Sequence, residues 1–185
     1  MDLFANLFGR NREMRAALEQ SRSRLYRMAF AWCHSAALAD DLVQETLTKA
    51  IQKSTQLRDP KARDAWLFSI MTNCYRDHFR RQRDMDDIDD VELLNDTTPE
   101  SENSEQQIVS KVRLAIAKLP EGQRQAVTLV DLEGFSYVEV ATIMNIPIGT
   151  VMSRLCRART AMKALLLREF GEQAETQGNK IRRVK

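Results

Sequence analysis

Thr150, Ser153, Arg154 and Arg157 recur at three- and four-residue spacings, which sets them along one side of a helix. A guanidinium forks onto a guanine edge or a phosphate, and a hydroxyl reaches phosphates or bases. A stripe of this kind suits reading of duplex DNA. A second group, Asn73, Arg76, Arg80, Arg81 and Arg83, shares a segment with Trp66, Tyr75 and Phe79. Basic residues interleaved with aromatics suit single-stranded nucleic acid, whose bases stack or enter pockets, although a tryptophan serves burial more often than stacking. A third stripe, Asp41, Gln44, Glu45 and Thr48, is either a solvated helix face or a dock for a basic or polar partner helix. None of this is catalytic. The chain carries no phosphate loop or nucleophile triad, and His34 and His78 have no ligand partners at useful spacing, so no enzyme activity, metal or cofactor is expected.

The elements that position these groups read as helices throughout. Ser136 and Glu139 fit a capping box. Val140, Ile143 and Met144 make one apolar face, and small Ala141 allows a second helix to cross close by. Asn145-Ile146-Pro147 ends that helix, because proline disfavours helix at the residue before it and donates no amide. Gly149-Thr150 opens the next helix, with Val151, Leu155 and Ala158 inward and the hydroxyls and arginines on or near the outside. This is the layout of a helix-turn-helix with a recognition helix for the major groove; an ordinary helical hairpin with a solvated arginine face shares its periodicity.

Upstream, residues 12–34 form a helix with Leu18, Leu25, Met28, Ala29 and Trp32 buried. A second runs from about Ala37 to Lys53 with Val43, Leu47, Ala50 and Ile51 inward. A third, after the Asp59-Pro60 break, runs from about Ala62 to Arg83 with Trp66, Leu67, Ile70 and Tyr75 or Phe79 on its buried side. Helices at 106–118 and 121–133 precede Gly134, and the recognition helix continues to about Phe170. Leu3, Phe4, Leu7 and Phe8 form a small apolar face expected to rest on the first domain.

Charge sorts the chain into blocks. Residues 1–83 hold 15 Lys/Arg against 9 Asp/Glu, residues 84–105 hold 10 Asp/Glu and no Lys/Arg, and residues 106–185 hold 13 Lys/Arg against 7 Asp/Glu. Two basic blocks suit a polyanion, and the acidic bridge between them reads as a linker that stays clear of DNA or occupies a basic groove. Cys33, Cys74 and Cys156 are odd in number and lack CxxC or Cys/His spacing, which points to a reducing compartment. No apolar run is long enough for a membrane span and the N-terminus lacks a signal peptide's basic lead, so a cytoplasmic protein without membrane insertion is expected.

Four blocks carry a family resemblance: Leu38-Ala39-Asp40-Asp41-Leu42-Val43-Gln44-Glu45-Thr46, Ala65-Trp66-Leu67-Phe68-Ser69-Ile70-Met71-Thr72-Asn73, Leu119-Pro120-Glu121-Gly122-Gln123-Arg124, and the run from Gly149 to Arg159. In this order and spacing they closely resemble bacterial RNA polymerase sigma factors of the extracytoplasmic-function (ECF) group, over about Leu25 to Leu166. The resemblance implies an all-α protein of two small helical domains joined by a flexible acidic linker, the C-terminal one ending in the helix-turn-helix. It divides the chain into a region 2 domain (1–83), a linker (84–105), a region 4 domain (106–170) and a disordered basic tail (171–185).

It also implies roles. Asp41, Gln44, Glu45 and Thr48 match the surface that docks on bacterial core RNA polymerase. Arg58, Lys61, Arg63, Trp66, Asn73, Arg76 and Arg80 match the elements that melt the −10 promoter element and capture a flipped base. Thr150, Ser153, Arg154 and Arg157 match the reader of the double-stranded −35 element. Met152 departs from the Lys or Arg that many relatives carry, which shifts weight to Ser153 and Arg157. An anti-sigma factor covering both domains is the expected regulator. A sigma-like decoy and a helix-turn-helix regulator of duplex operators are the competing readings: the first normally carries a receiver domain, and the second needs neither the Asp41 stripe nor the basic-aromatic third helix.

Overall fold

Apolar residues at helical spacing, few glycines and few prolines leave helix as the way to satisfy the backbone while burying one face. The computed structural model describes the backbone from Leu3 to Ile181 apart from Arg58 and residues 86–103, and the side chains of residues 16–57, 59–82 and 108–168. Its helices are α1 (Leu3–Cys33), α2 (Ala36–Gln52), α3 (Arg63–Met85), α4 (Ser104–Ala117), α5 (Glu121–Val127), α6 (Tyr137–Met144) and α7 (Ile148–Ile181).

The first domain is α1 to α3. α1 ends at His34, which adopts the left-handed conformation (φ 53°), and Ser35 caps α2 by accepting from the Leu38 amide. A 3-10 turn at Pro60–Ala62, capped by the Asp59 carboxylate, leads into α3. Leu25, Met28, Trp32, Leu42, Val43, Leu67, Phe68 and Met71 fill the centre. Ile51, expected inward, stands 41% exposed, while Ala50 in the same last turn of α2 is buried.

The second domain is α4 to α7. α5 widens into a π turn at Thr128–Leu132, and Gly134 (φ 77°) reverses the chain. Both halves of the capping box form at Ser136 and Glu139. Asn145 closes α6 in the left-handed conformation (φ 51°), which asparagine tolerates better than most residues. Val140, Ile143, Met144, Val151, Leu155 and Ala158 are buried as their periodicity required. α7 runs on to Ile181, past the end expected near Phe170 and through most of the segment read as a tail. The acidic linker lies largely outside the described residues, as do the side chains of Leu3, Phe4, Leu7 and Phe8.

The two domains are docked on each other. α6 lies against α3, while α4 and α5 meet α1, and one continuous apolar cluster runs through both domains. The reading of α3 changes accordingly. Phe68, Met71 and Cys74 are buried with Leu67, Ile70 and Tyr75, and Trp66 is only half-buried. α3 is covered by α2 on one side and by α6 on another, so a single buried stripe does not describe it.

Candidate nucleic-acid and partner interfaces

The α2 stripe emerges as expected of a surface. Leu42, Val43, Thr46 and Ala50 turn inward, which leaves Asp41, Gln44 and Thr48 exposed and Glu45 half-exposed on the opposite side. Glu45 is bound to Lys49 at 2.7 Å, one turn on. That pairing raises the Lys49 pKa, and the stripe therefore presents Asp41 as its unshared carboxylate among the described ion pairs.

Lys61, in the 3-10 turn before α3, and Asn73, Arg76 and Arg80 along α3 are exposed, with Arg63 and Trp66 half-buried at the start of the helix. Arg63 leans on Asp64 at 3.4 Å and Arg80 on Asp77 at 3.0 Å. Asn73, Arg76 and Arg80 are three and four residues apart, hence on one face. Arg76 is engaged across the domain boundary: its Nη2 donates to the Met144 carbonyl, at the end of α6, at 3.0 Å. Arg58 lies outside the described residues.

On α7, Arg157 is exposed and folds back one turn. Its Nε donates to the Ser153 carbonyl at 3.2 Å and its Nη2 to the Ser153 hydroxyl at 3.3 Å. Ser153 and Thr150 are half-buried, and the Ser153 hydroxyl donates to the Thr150 carbonyl. Arg154 differs from the outward stripe. A Cβ built on Gly122 would come within 2.8 Å of its guanidinium, so Arg154 lies across the start of α5. The glycine of the Leu119-Pro120-Glu121-Gly122 block is what admits it. Met152 is 54% exposed beside Ser153, and Arg159 is held by Asp131 at 2.6 Å.

The residues that sequence reasoning missed lie between the domains. The buried Trp32 indole N–H donates to the Thr128 hydroxyl at 2.9 Å, and that hydroxyl in turn donates to the Arg124 carbonyl at 2.7 Å. Arg24 bonds Asp64 at 2.6 Å and Glu133 at 2.8 Å and lies 5.7 Å from the centre of the Phe68 ring. Burial opposes charge on Arg24, but the two carboxylates outweigh it and raise its pKa. Phe68 meets Phe135 edge to face at 5.1 Å. Arg124 Nη1 donates to His34 Nε2 at 3.0 Å, and burial, then the Arg124 charge, lower the His34 pKa. Burial pushes the Tyr75 phenol, which donates to the Trp32 carbonyl, up to about 12. Periodicity marks such residues only as apolar or polar; it does not say which helix of the other domain they face.

Among the described residues no group of three or more His, Cys, Asp or Glu is placed to hold a metal, and no helix is long and apolar enough to cross a membrane.

Comparison with known proteins agrees with this geometry. Residues 17–85 match the family model for sigma-70 region 2, and residues 110–162 match that for sigma-70 region 4. The ECF RNA polymerase sigma factor EcfG of Rhodopseudomonas palustris is 38% identical over 131 residues, covering 69% of this chain and 71% of that one. The RNA polymerase sigma-H factor of Pseudomonas aeruginosa is 38% identical over 151 residues, covering 74% and 78%. Among solved structures, the sigma factor RpoE of Bartonella quintana, in complex with the anti-sigma factor NepR, superposes with a TM-score of 0.70 at 28% identity over 83% of this chain and 96% of that one. CnrH, in complex with the cytosolic domain of CnrY, shares the fold with a TM-score of 0.58 at 24% identity, over 85% and 92%. With both sigma-70 regions matched in order and a full helical framework to carry them, the chain belongs to the ECF group of the sigma-70 family of RNA polymerase sigma factors.

Proposed function

We propose that this protein is an alternative sigma factor that binds bacterial core RNA polymerase, directs it to a specific set of promoters, melts the −10 element and catalyses nothing itself. The observation that carries this reading is the presence of both sigma-70 regions in one chain, with the α2 stripe exposed beside them. A regulator of duplex operators needs the helix-turn-helix alone.

In this reading Asp41, Gln44, Glu45 and Thr48 dock on the polymerase, with Asp41 the free carboxylate. Asn73 and Arg76 take an extruded base and its phosphate, supported by Arg80, Lys61, Arg63, Arg58 and Trp66. Ser153 and Arg157 read the −35 duplex with Thr150, while Arg154 acts through the fold by resting on α5. The protein works in the cytoplasm and is held by an anti-sigma factor that engages both domains, as suggested by the RpoE–NepR complex to which it is similar.

The test is transcription in vitro with core polymerase on a library of promoter fragments. Specific start sites that disappear with Asn73→Ala and with Arg157→Ala are expected. Binding to core without initiation would support the decoy, and absence of core binding would support the operator regulator.

A further inference from the structure

The outward side of α7 is less polar than the sequence stripe suggests. Its hydroxyl protons are already used inside the helix. Ser153 donates to the Thr150 carbonyl at 3.0 Å, and Thr160 donates to the Cys156 carbonyl at 2.9 Å. A hydroxyl has one proton to give, so toward a base these two groups offer lone pairs only. Two guanidiniums are drawn elsewhere as well. Arg154 lies against Gly122, and Arg159 is held by Asp131 at 2.6 Å. Between Ile148 and Thr160, Arg157 is left as the strong donor of the face, with two of its N–H groups turned to Ser153.

What fills the other edge of the face is apolar. Ile148 is 45% exposed and Met152 is 54% exposed, and Cys156 is exposed one turn further on. Steps of four residues set the three in a row along the helix. No atom lies within 4 Å of where a Gly149 side chain would begin, so the surface beside Met152 is open to an approaching base edge. Single exposed apolar residues are ordinary on any surface. Three in a row, bordering the donor of a face that reads duplex DNA, match one feature of the major groove. Thymine alone presents a methyl group there, while the other bases present polar atoms or bare C–H. Methionine, unbranched and polarisable, adapts its shape to such a group.

We propose that Met152, flanked by Ile148 and Cys156, selects a thymine of the −35 element by packing on its 5-methyl group, on the opposite edge of the reading face from the base taken by Arg157. The proposal rests on the assignment of α7 to the −35 duplex, and it names the base that this edge of the helix selects. Met152 is then a specificity-determining residue in its own right, and the recognition helix reads one base by a donor fork and another by apolar contact.

The test uses holoenzyme assembled from the full chain and core polymerase. It is bound to promoter duplexes in which each thymine of the −35 element, on either strand, is replaced singly by deoxyuridine. That replacement removes one methyl group and keeps every hydrogen-bonding atom of the base. The expected result is one position at which deoxyuridine weakens binding about fourfold, the worth of one covered methyl group. At that position Met152→Gln, a change of similar length at an exposed helix site, should bind thymine and deoxyuridine equally. A scan that is flat at every thymine would overturn the proposal, as would a −35 element without thymine. So would a penalty that persists undiminished in Met152→Gln, because it would report the shape of the duplex and not a contact. Arg157→Ala on the unmodified duplex separates the two ideas. If it weakens promoter binding while the deoxyuridine scan is flat, α7 remains the −35 reader and the thymine contact falls. If neither Arg157→Ala nor any base change in the −35 element alters binding, α7 is not the reader and both fall.

Discussion

Arg157 arrives at its surface already held, and that matters for what it can read. Both of its hydrogen bonds to Ser153 reduce the side-chain entropy lost when a guanidinium forks onto a base, whereas Met152 next to them has no donor to offer. Lysine at position 157 would keep the charge and lose the planar fork. Arg157→Lys is therefore expected to retain most of the salt-dependent affinity for −35 duplex but to lose about 1–3 kcal/mol of discrimination between bases. Competition binding with single-base variants of the site at two salt concentrations checks this. At the same scale, the Arg154 guanidinium sits against Gly122 at the start of α5. Spacing placed it in the stripe; only the crossing of the two helices shows where it goes.

At the scale of the element, the helix-turn-helix is held by local chemistry that one sequence displays fully. The Ser136 hydroxyl accepts from the Glu139 amide, and the Glu139 carboxylate accepts from the Ser136 amide at 2.8 Å and from its hydroxyl at 2.7 Å. Ser136→Ala should cost about 1 kcal/mol in thermal unfolding. The Ser136 hydroxyl first, and then its backbone amide, lower the Glu139 pKa. A carboxylate lowered in the folded state contributes stability that is full above its ordinary range and lost as pH falls through the lowered value. Acid unfolding of the wild type should therefore be steeper than that of Ser136→Ala, and equal slopes would refute the role of the box. α3 is the opposite case. Its basic side and its aromatic side were both legible, but Phe68 is buried against Phe135 of another domain. No local pattern reports that.

For the whole molecule, the seam between domains carries a titratable acceptor. Arginine only donates, so the 3.0 Å bond from Arg124 requires a neutral His34 with an unprotonated Nε2. Burial and then Arg124 lower the His34 pKa. A lowered histidine contributes stability present above its ordinary value near 6.5 and lost as pH falls through the lowered one. Docking should thus loosen on acidification below about pH 6.5, as protonation puts a second cation beside Arg124. Solution scattering of the free protein between neutral and mildly acidic pH should show expansion, and His34→Gln, which keeps an acceptor but does not titrate, should remove the dependence. A wild type whose dimensions do not change over that range would refute it.

What the chain's order of residues determined by itself was local: the helical class, the capping box, the Asn145 turn, the inward faces of α6 and α7, and the block order by which the ECF family is recognised. These follow from interactions three and four residues apart, which a linear pattern encodes directly. The tertiary structure alone decided that the two domains share one core, that Arg76 is bound to Met144, that Trp32 meets Thr128 across ninety-six positions, and that Arg154 turns to α5. Such pairings depend on which buried polar groups and aromatic faces find partners when whole helices cross, and sequence spacing carries no coordinate for that.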